Sequence, residues 1–506
     1  MDQLIKNREH LASLHYSHCN TRIISLKDLD LPETASEEVY RQIYLKHTQT
    51  LHKSQSQSQN ASLLRDAVES IKYGIAPPVA FPTETVYGLG ADATNEPAIS
   101  GIFAAKGRPS DNPLIVHVAS VAHLERLTGE PLPEIYRSLA QKFWPGPLTI
   151  LLPVPKDSKF AKNVHPGQPT IGFRIPSSKY ARFFIASTDC PIAGPSANSS
   201  GKPSPTTAQH VLDDLRGKIN FILDGGPCDV GVESTVVDGL HDPPLILRPG
   251  GVSQSDLISH GKEFGNRFAD TAIGYKRHEH RSTNTSSSSP SPLSTGSSDS
   301  HPTHVSVSYE EDMNGAPRAP GMKYRHYAPK GRLVLFGENA VAQGKVEAKL
   351  NEIIQSVPCQ EDQLNVGIIS CHWPPFAGLP VSTSSEPLLT AISTSVYANI
   401  TSVGKYSPAS DSNPISGATP IEKGNLSLVI YNVHIGPDIA TLAHLLFGVL
   451  RLFDDLNCTF ILAETVKRRV PTQEQQHEQR DRDTSTRDIE DAVIDRIEKA
   501  AAERVD

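Results

Sequence analysis

A long stretch rich in serine, threonine and proline divides this chain. It covers residues 277–316 and includes the uninterrupted polar run from Ser282 to Pro292. Such a composition behaves as a flexible linker, because it cannot bury enough apolar surface to offset the entropy lost on ordering. Any compact structure must therefore form on either side of it. We predict two folded units within the 506 residues.

The part before the linker has the pattern of a mixed α/β domain. Short apolar runs recur between Leu63 and His260, each bounded by Gly, Pro, Asn or Asp. Their length and β-branched content favour strands over helices. The predicted strands are Leu114–Val118, Leu148–Val154, Ile171–Ile175, Phe221–Leu223, Thr235–Val237 and Leu245–Leu247, with helices at Glu134–Phe143 and Ala208–Leu215.

The part after the linker predicts a smaller α/β unit. Strand-like and helix-like segments alternate there, which is typical of a parallel sheet. The strands are expected at Leu333–Phe336, Val366–Ser370, Leu426–Val433 and Thr459–Ala463, and a helix at Ile439–Leu452. At the end of the chain, Ile489, Val493, Ile497 and Ala500 fall on one helical stripe, which indicates core packing.

These patterns divide the chain into four segments. Residues 1–60 are polar and are expected to form an extension. Residues 61–262 form the first α/β domain, residues 263–330 a low-complexity linker and residues 331–506 the smaller α/β domain.

Composition excludes several classes of protein. The net charge of −8 argues against a chain that binds polyanions through its overall charge, although a local basic pocket stays open. No run approaches the ~20 apolar residues of a membrane span, so we expect no membrane contact. The six cysteines lie far apart without a C-x-x-C pair, which favours a reducing compartment over a disulfide scaffold or zinc site.

Two glycine-rich segments resemble nucleotide-binding loops only superficially. In Gly194–Ser204 the spacing before Gly201-Lys202 is too long for a phosphate loop, and Pro203 stands where the magnesium-binding hydroxyl belongs. Gly88-Leu89-Gly90 lacks the third glycine of a dinucleotide-binding turn. Neither standard nucleotide-binding fold is therefore supported.

A basic loop precedes one of the predicted strands. Lys106–Pro113 combines two cations and an amide with glycine and two prolines, directly before Leu114–Val118. A stiff loop loses little entropy on binding, and a guanidinium matches phosphate oxygens bidentately. A solvated surface loop is the alternative, but such loops seldom combine clustered cations with this stiffness beside an apolar strand.

Three basic residues lie inside separate apolar strands. They are His117, Arg174 and Arg248. A charge within a strand is costly unless it is paired or faces a pocket. An anion-binding cavity explains the three better than three independent ion pairs do. For His117 alone, a hydrogen-bonded core histidine is an equally good interpretation.

Hydroxyl-bearing residues flank glycines in two further segments, Pro82–Gly90 and Gly225–Asp238. Backbone amides and hydroxyls in such loops can bind carboxylate or phosphate, although turn chemistry alone also explains them. The sequence has no Ser-His-Asp, Cys-His or H-E-x-x-H signature. An enzyme built this way would work through positioning and electrostatics rather than a covalent nucleophile.

At these residues the chain resembles the threonylcarbamoyl-AMP synthase family, and within it the long eukaryotic-type members. That family has a YrdC-like twisted mixed α/β domain followed by a smaller Rossmann-like α/β domain. The matching stretches occur in the family's order: Phe81–Gly90, Lys106–Val118, Phe143–Leu152, Gly172–Pro176, Ala193–Thr206, Asp224–Gly239 and Ile246–Ser253, with Ala319–Pro329 similar to the linker that joins the domains.

The resemblance implies a nucleotidyltransferase. It would make threonylcarbamoyl-adenylate and pyrophosphate from L-threonine, bicarbonate and ATP, for threonylcarbamoyl-adenosine modification of tRNA. Mg²⁺ is expected with ATP, and the product would pass to a tRNA threonylcarbamoyl-transferase complex in the cytoplasm. By motif, threonine would be contacted by Thr85, His117, Arg174 and Ser234. ATP would be contacted by Lys106, Arg108, Asn112, Thr170, Ser196, Asn198, Ser204, Arg248, Tyr324 and Tyr327.

The resemblance names neither a general base nor metal ligands. His117 is a candidate base only if its imidazole reaches the threonine amine, and a binding role fits equally well. The alternative function is an RNA-binding module without ATP turnover, whose basic concave surface holds the RNA backbone. A carbamoyl-phosphate-using transferase is a third hypothesis, which the absence of zinc-finger cysteines disfavours.

Overall fold

The structure is a computed structural model of the whole chain. It describes residues 19–49, 55–74, 77–275, 319, 326–358, 362–383, 401–406, 426–466 and 484–506. Within these ranges no helix is both long and apolar enough to cross a membrane.

The first unit contains strands β1–β11 and helices α1–α8. The strands are β1 Arg22–Ser25, β2 Val79–Phe81, β3 Gly88–Asp92, β4 Ile115–His117, β5 Leu148–Pro153, β6 Thr170–Arg174, β7 Ile192–Ala193, β8 Phe221–Asp224, β9 Thr235–Asp238, β10 Leu245–Arg248 and β11 Ala272–Ile273. The helices are α1 Glu37–Gln49, α2 Gln55–Tyr73, α3 Glu96–Lys106, α4 Val121–Thr128, α5 Glu134–Phe143, α6 Lys179–Thr188, α7 Ala208–Leu215 and α8 Gln254–Phe264. Short 3₁₀ helices lie at Lys162–Val164 and Arg267–Asp270.

These strands form one twisted mixed sheet in the described part of the chain. Its order is β1-β8-β2-β3-β7-β4-β6-β5-β9-β10-β11. The predicted α/β class is confirmed, and α5 and α7 have the bounds expected from the sequence. In the parallel pair of β4 and β6, His117 lies directly opposite Arg174. Registered neighbours of a parallel pair point to the same face, so these two side chains lie side by side.

The prediction that residues 1–60 form a polar extension is wrong for the described part of that segment. β1 extends the sheet by pairing in parallel with β8, and α1 and α2 cover that edge. Their few apolar residues are concentrated on one side, so Ile24, Leu64 and Tyr40 are all buried in one core cluster that includes residues of α6. Low average hydrophobicity misled the prediction, because position along the helix decides burial more than composition does.

The predicted start of the linker at residue 263 also needs correction. α8 continues to Phe264, and β11 pairs with β10 beyond it. Burial of Phe268 between these elements anchors the segment. Residues 276–318, which carry the low-complexity sequence, lie outside the described residues.

The second unit is built on a smaller sheet with strands β12–β18. They are β12 Arg332–Phe336, β13 Gln363–Ser370, β14 Val381–Thr383, β15 Thr401–Tyr406, β16 Ser427–His434, β17 Phe460–Glu464 and β18 Glu503–Val505. Its helices are α9 Lys345–Ser356, α10 Ile439–Asp455 and α11 Thr484–Ala500, with a 3₁₀ helix at Pro375–Gly378. The order is β14-β15-β16-β13-β17-β12-β18, and the five strands from β16 to β18 are parallel as predicted.

The two units pack closely against each other. The backbone of Gly231, with a φ of 80°, lies so near α10 that an added Cβ would come within 2.5 Å of the His444 Cα. The ring of Tyr327, at the end of the linker, stacks on Phe447 of α10 at 5.2 Å. The second unit therefore forms part of the surroundings of the loops that precede β9.

Candidate functional site

A cavity opens between the first sheet and the end of the linker. It encloses about 750 Å³ of space between protein atoms, including its open mouth. Five cations line it, and Glu233 is the one carboxylate among its described lining residues. The lining residues are Thr83, Thr85, Val86, Gly88, Lys106, Arg108, Ile115, His117, Arg174, Gly194, Pro195, Ser196, Asn198, Ser200, Gly201, Lys202, Ser204, Glu233, Ser234, Arg248, His326 and Tyr327.

The guanidinium of Arg174 is fixed by its own neighbours. Nη1 donates to the Thr85 hydroxyl at 3.0 Å, and Nε donates to the Gly146 carbonyl at 3.2 Å. Nη2 lies 2.7 Å from Glu84 Oε1, and both side chains are almost fully buried. Burial of a guanidinium is costly without a counter-charge nearby, which Glu84 provides. Arg174 is thus presented to the cavity in one orientation.

His117 is a neutral hydrogen-bonding group. Burial, with the charge of Arg174 beside it, lowers the pKa of its imidazole to about 3. Nδ1 lies 3.2 Å from the Ile192 carbonyl oxygen and must donate to it, since a carbonyl can only accept. Nε2 of the neutral ring is therefore an acceptor.

Arg248 and Ser234 form a second fixed group in the cavity wall. Arg248 donates from Nη2 to the Ser234 carbonyl at 2.8 Å and to its hydroxyl at 3.1 Å. The Ser234 hydroxyl is also 2.9 Å from the Thr149 hydroxyl of β5. Because β9 lies between β5 and β10, its preceding residue meets side chains from both neighbours. This places an oriented hydroxyl next to a buried cation.

Lys106 is bonded to another part of the cavity wall, the loop from Ser196 to Asn198. It ends α3, and Gly107 follows in the left-handed conformation (φ 63°) that closes the helix and turns the chain towards Arg108. The Lys106 ammonium donates to the carbonyls of Ser196 and Asn198. Burial, and then the nearby Arg108, lower its pKa. Its bonds fix the conformation of the Ser196–Asn198 loop at the cavity wall.

Eleven of the fourteen sequence-predicted site residues lie on this cavity. For threonine they are Thr85, His117, Arg174 and Ser234, and for ATP they are Lys106, Arg108, Ser196, Asn198, Ser204, Arg248 and Tyr327. The predicted convergence of basic residues from separate strands into one cavity is confirmed. The roles assigned to the individual residues stay predictions.

Of the remaining predicted residues, Thr170 and Asn112 are not among the lining residues of the cavity. Thr170 begins β6, at the opposite end of that strand from Arg174. Asn112 is a buried residue of the basic loop itself, and its Oδ1 has no hydrogen-bond partner among the described residues. Tyr324 lies outside the described residues.

Sequence reasoning missed several groups around the cavity. Glu233 accepts from the Ser204 hydroxyl at 2.6 Å and from Arg496 Nε at 3.0 Å. Arg496 comes from α11 in the second unit and is fully buried. It lies three residues after Val493, beside the apolar stripe, and a charge at that position was the available signal. His326, also missed, is neutral because burial, then Arg108, lower its pKa to about 4.

The fold and the cavity together define a class of protein. A mixed α/β unit whose cavity is lined by cations and hydroxyl groups is suited to a small anionic ligand, and the second unit supplies part of the surroundings of that cavity. Comparisons with known proteins identify that class more closely.

The family model described as "Telomere recombination" (Sua5/YciO/YrdC) matches residues 76–250. The model described as "Threonylcarbamoyl-AMP synthase, C-terminal domain" matches residues 299–502. The chain is 39% identical to the threonylcarbamoyl-AMP synthase of Schizosaccharomyces pombe over 378 residues, covering 70% of this chain and 80% of that protein. It is 41% identical to the Bacillus subtilis synthase over 292 residues, covering 58% and 70%.

Solved structures agree with these relatives. The crystal structure of Pyrococcus abyssi Sua5 complexed with L-threonine is similar to this chain with a TM-score of 0.57 and 30% identity. The match covers 96% of this chain and all of the other. The chain belongs to the threonylcarbamoyl-AMP synthase family, whose members are nucleotidyltransferase-type enzymes that make threonylcarbamoyl-adenylate.

Proposed function

We propose that this chain forms threonylcarbamoyl-adenylate and pyrophosphate from L-threonine, bicarbonate and ATP, and that the cation-lined cavity is where it does so. The observation that carries the proposal is the convergence of Arg174, His117, Ser234 and Arg248 from three regions of the sheet on one cavity. Family membership supplies the reaction.

The threonine half of the cavity is proposed around Arg174. Its guanidinium can pair with the threonine carboxylate, because charge-assisted pairs between Arg and carboxylate are strong and directional. Thr85 and Ser234 have hydroxyls held by Arg174 and Arg248, so they can bind the carboxylate or the threonine hydroxyl. Arg174 acts here as an oriented anchor rather than as an acid or base.

The threonine amine must lose its proton before it can attack the carbonyl carbon of bicarbonate. The surrounding cations favour this, since like charges lower the pKa of an ammonium group. Attack forms the carbamate and releases water. We assign His117 a binding role at Nε2, because an imidazole with a pKa of about 3 is a weak base at neutral pH.

The nucleotide half of the cavity is proposed around Arg248, Arg108, Lys202 and Ser204. In the second step a carbamate oxygen attacks the α-phosphorus of ATP, the bond to the β-phosphate bridging oxygen breaks, and pyrophosphate leaves. Cations along the triphosphate stabilise the charge that develops on the leaving group. Lys106 supports this half indirectly, because its ammonium is bonded to the carbonyls of the Ser196–Asn198 loop.

Mg²⁺ is expected with ATP, and the residues of the cavity do not form a site for the ion by themselves. In the described part of the chain no three His, Cys, Asp or Glu side chains cluster in a metal-binding arrangement. Glu233, the carboxylate of the cavity, is engaged by Arg496 and Ser204. Mg²⁺ is usually held mainly by substrate phosphates and water, so we propose that it arrives on ATP.

The product defines the partners. A mixed carbamic–phosphoric anhydride is reactive, so a tRNA threonylcarbamoyl-transferase complex would consume it close to its source. We place this activity in the cytoplasm, where tRNA and ATP are available.

Direct contact between this chain and RNA is a separate expectation. An RNA-binding module without ATP turnover is disfavoured, because the cations lie in a cavity and the relatives are named as synthases.

Pyrophosphate release by the purified full chain tests the proposal. With ATP and Mg²⁺ present, release should require both threonine and bicarbonate. Serine and carbamoyl phosphate serve as substrate controls, and the product is identified by mass spectrometry. A folded protein that releases no pyrophosphate with threonine, or releases it equally without threonine, would reject the proposed function.

A further inference from the structure

The second unit places one buried cation directly against the cavity wall. Arg496 of α11 is completely buried, and its Nε donates to Glu233 Oε2 at 3.0 Å. Glu233 belongs to the first unit, lines the cavity and immediately precedes Ser234. The ion pair therefore joins the two units behind the site, at the carboxylate of the lining.

Glu233 would be unfavourable there without its partner. Burial alone would raise the pKa of Glu233, but the guanidiniums of Arg496 and Arg248 hold it below its ordinary value. The side chain is therefore an anion facing a cavity that must accept a triphosphate. An uncompensated carboxylate at that wall would repel the phosphates and would compete with them for Arg248.

The pair also fixes two other cavity groups. The second oxygen of Glu233 accepts from the Ser204 hydroxyl at 2.6 Å, so the position of Arg496 is transmitted to Ser204. The Arg496 guanidinium lies 5.5 Å from the centre of the Tyr327 ring. Tyr327 has a φ of 66°, which costs energy for a bulky residue and persists only under surrounding contacts.

We propose that Arg496 is a positioning residue for the nucleotide half of the cavity: it neutralises Glu233, directs that carboxylate onto Ser204 and supports the Tyr327 ring. The second unit thus supplies the counter-charge that is hydrogen-bonded to Glu233, while Arg248 of the first unit is bonded to Ser234. The inference rests on the proposed function and assigns part of the ATP dependence to the second unit.

A second interdomain ion pair gives a matched control. Arg451 of α10 is also buried and pairs with Asp214 of α7 at 2.9 Å, and it donates to the Pro203 carbonyl. Arg451 is not a lining residue of the cavity. Arg451→Met removes a buried guanidinium from the same interface, so it reports the cost of weakening the contact between the units.

The test measures steady-state pyrophosphate release with ATP and threonine varied separately. Arg496→Met should raise the KM for ATP about thirtyfold, as expected when one partner of a buried charge pair is removed. The KM for threonine should change less than about threefold. Arg451→Met should leave both constants within that range, because Asp214 keeps the Lys202 ammonium at 2.8 Å as a counter-charge. Adding Glu233→Gln to Arg496→Met should lower the KM for ATP again, because the unpaired charge is gone.

The inference is overturned if Arg496→Met and Arg451→Met give the same KM for ATP, or if Glu233→Gln brings no recovery. If Arg496→Met does not fold, Arg496→Lys and the Arg496→Met/Glu233→Gln double variant decide. The double variant should match or exceed Arg496→Lys in apparent ATP affinity, and a lower affinity would contradict the role. Absence of wild-type turnover would instead reject the proposed function.

Discussion

Polar residues at the ends of strands have different surroundings in the two sheets of this chain. In the first sheet, β4, β6 and β10 end in His117, Arg174 and Arg248, and all three line one cavity. In the second sheet, β17 ends in Glu464, whose carboxylate accepts three backbone N–H groups from Cys371, His372 and Trp373 at 2.7–3.1 Å. Polar side chains at strand ends therefore line a cavity in one unit, whereas in the other unit the carboxylate of Glu464 is bound by backbone amides of the same unit.

The difference shows that two α/β units can have different roles in one chain: the first forms the cavity, and the second packs against it. Three successive amides form an anion-binding concavity, and in the second unit the chain's own carboxylate occupies it. In the first unit the corresponding positive groups are side chains, and they face about 750 Å³ of space. The second unit contributes through packing and through Arg496 rather than through a cavity at its own strand ends.

The largest expected effect comes from removing the anchor of the first sheet. Arg174→Ala should reduce threonine-dependent kcat/KM by about a hundredfold or more, because a buried charge pair worth ~3 kcal/mol or more is lost. The KM for ATP should change far less. Separate titrations of threonine and ATP in the pyrophosphate assay measure both constants.

A companion variant keeps this prediction interpretable. Arg174→Ala leaves Glu84 buried without its partner, so the Arg174→Ala/Glu84→Gln double variant should recover folding but not threonine use. Equal losses for threonine and ATP in a folded double variant would contradict the role given to Arg174.

The corresponding change in the second sheet should affect stability rather than catalysis. Glu464→Ala leaves three amides without their acceptor, and we expect it to lower the free energy of unfolding by about 3 kcal/mol. Chemical denaturation measures the loss, provided that unfolding of the second unit is followed separately. Both KM values should stay within about twofold of wild type; a selective rise in either one would break the proposed contrast between the sheets.

Lowering the pH tests how much the neutral His117 imidazole of the first sheet contributes to folding stability. Its pKa of about 3 in the folded chain is below the ~6.5 of an unfolded histidine, so the unfolded state binds the proton first as pH falls. The stability linked to the neutral ring is fully present above pH 6.5 and is lost progressively towards pH 3. At pH 5 the loss is about 2 kcal/mol, from 1.36 kcal/mol per pH unit.

The His117→Asn variant isolates that contribution. Denaturation at pH 7 and pH 5 should show a smaller loss of stability in the variant than in wild type, by about 2 kcal/mol. His210, whose pKa is also lowered to about 3 by burial and then Arg451, remains in both proteins and cancels in the comparison. Identical pH dependence would show that His117 does not titrate differently on unfolding.

The smallest effect is expected at Ser234. Ser234→Ala removes one hydroxyl that Arg248 and Thr149 orient, and a single hydrogen bond contributes about 1 kcal/mol. The KM for threonine should therefore rise about fivefold, with the Arg248 bond to the Ser234 carbonyl retained. Thr149→Ser, which keeps the partner hydroxyl, is the matched control and should be close to wild type.

Much of this site could be predicted from sequence because charges inside apolar strands are unusual. His117, Arg174 and Arg248 stood out for that reason. His117 and Arg174 lie on adjacent strands, and Arg248 reaches the same cavity from β10, which β5 and β9 separate from β6. Glu233 could not be assigned, because its burial depends on Arg496, more than 250 residues later in the chain. Local patterns carry no information about which distant helix supplies a counter-charge.

The fold shows the same division. Strands and helices with regular apolar spacing, such as α5 and α7, were predicted with their bounds. β1 was missed, because only Ile24 of its four residues is buried and its assignment depends on pairing with β8 at the sheet edge. The place of Thr170 at the start of β6 was not evident from the motif, because motif similarity fixes order along the chain but not which end of a strand lies at the cavity; its contact with ATP stays a prediction.

The central claim is that separate strands build one cavity for an amino acid beside a triphosphate. A crystal structure of this chain with L-threonine and a non-hydrolysable ATP analogue tests it most directly. The account predicts the threonine carboxylate within hydrogen-bond distance of Arg174 and the triphosphate along Arg248 and Lys202. Threonine bound away from Arg174, or the nucleotide bound outside this cavity, would contradict it.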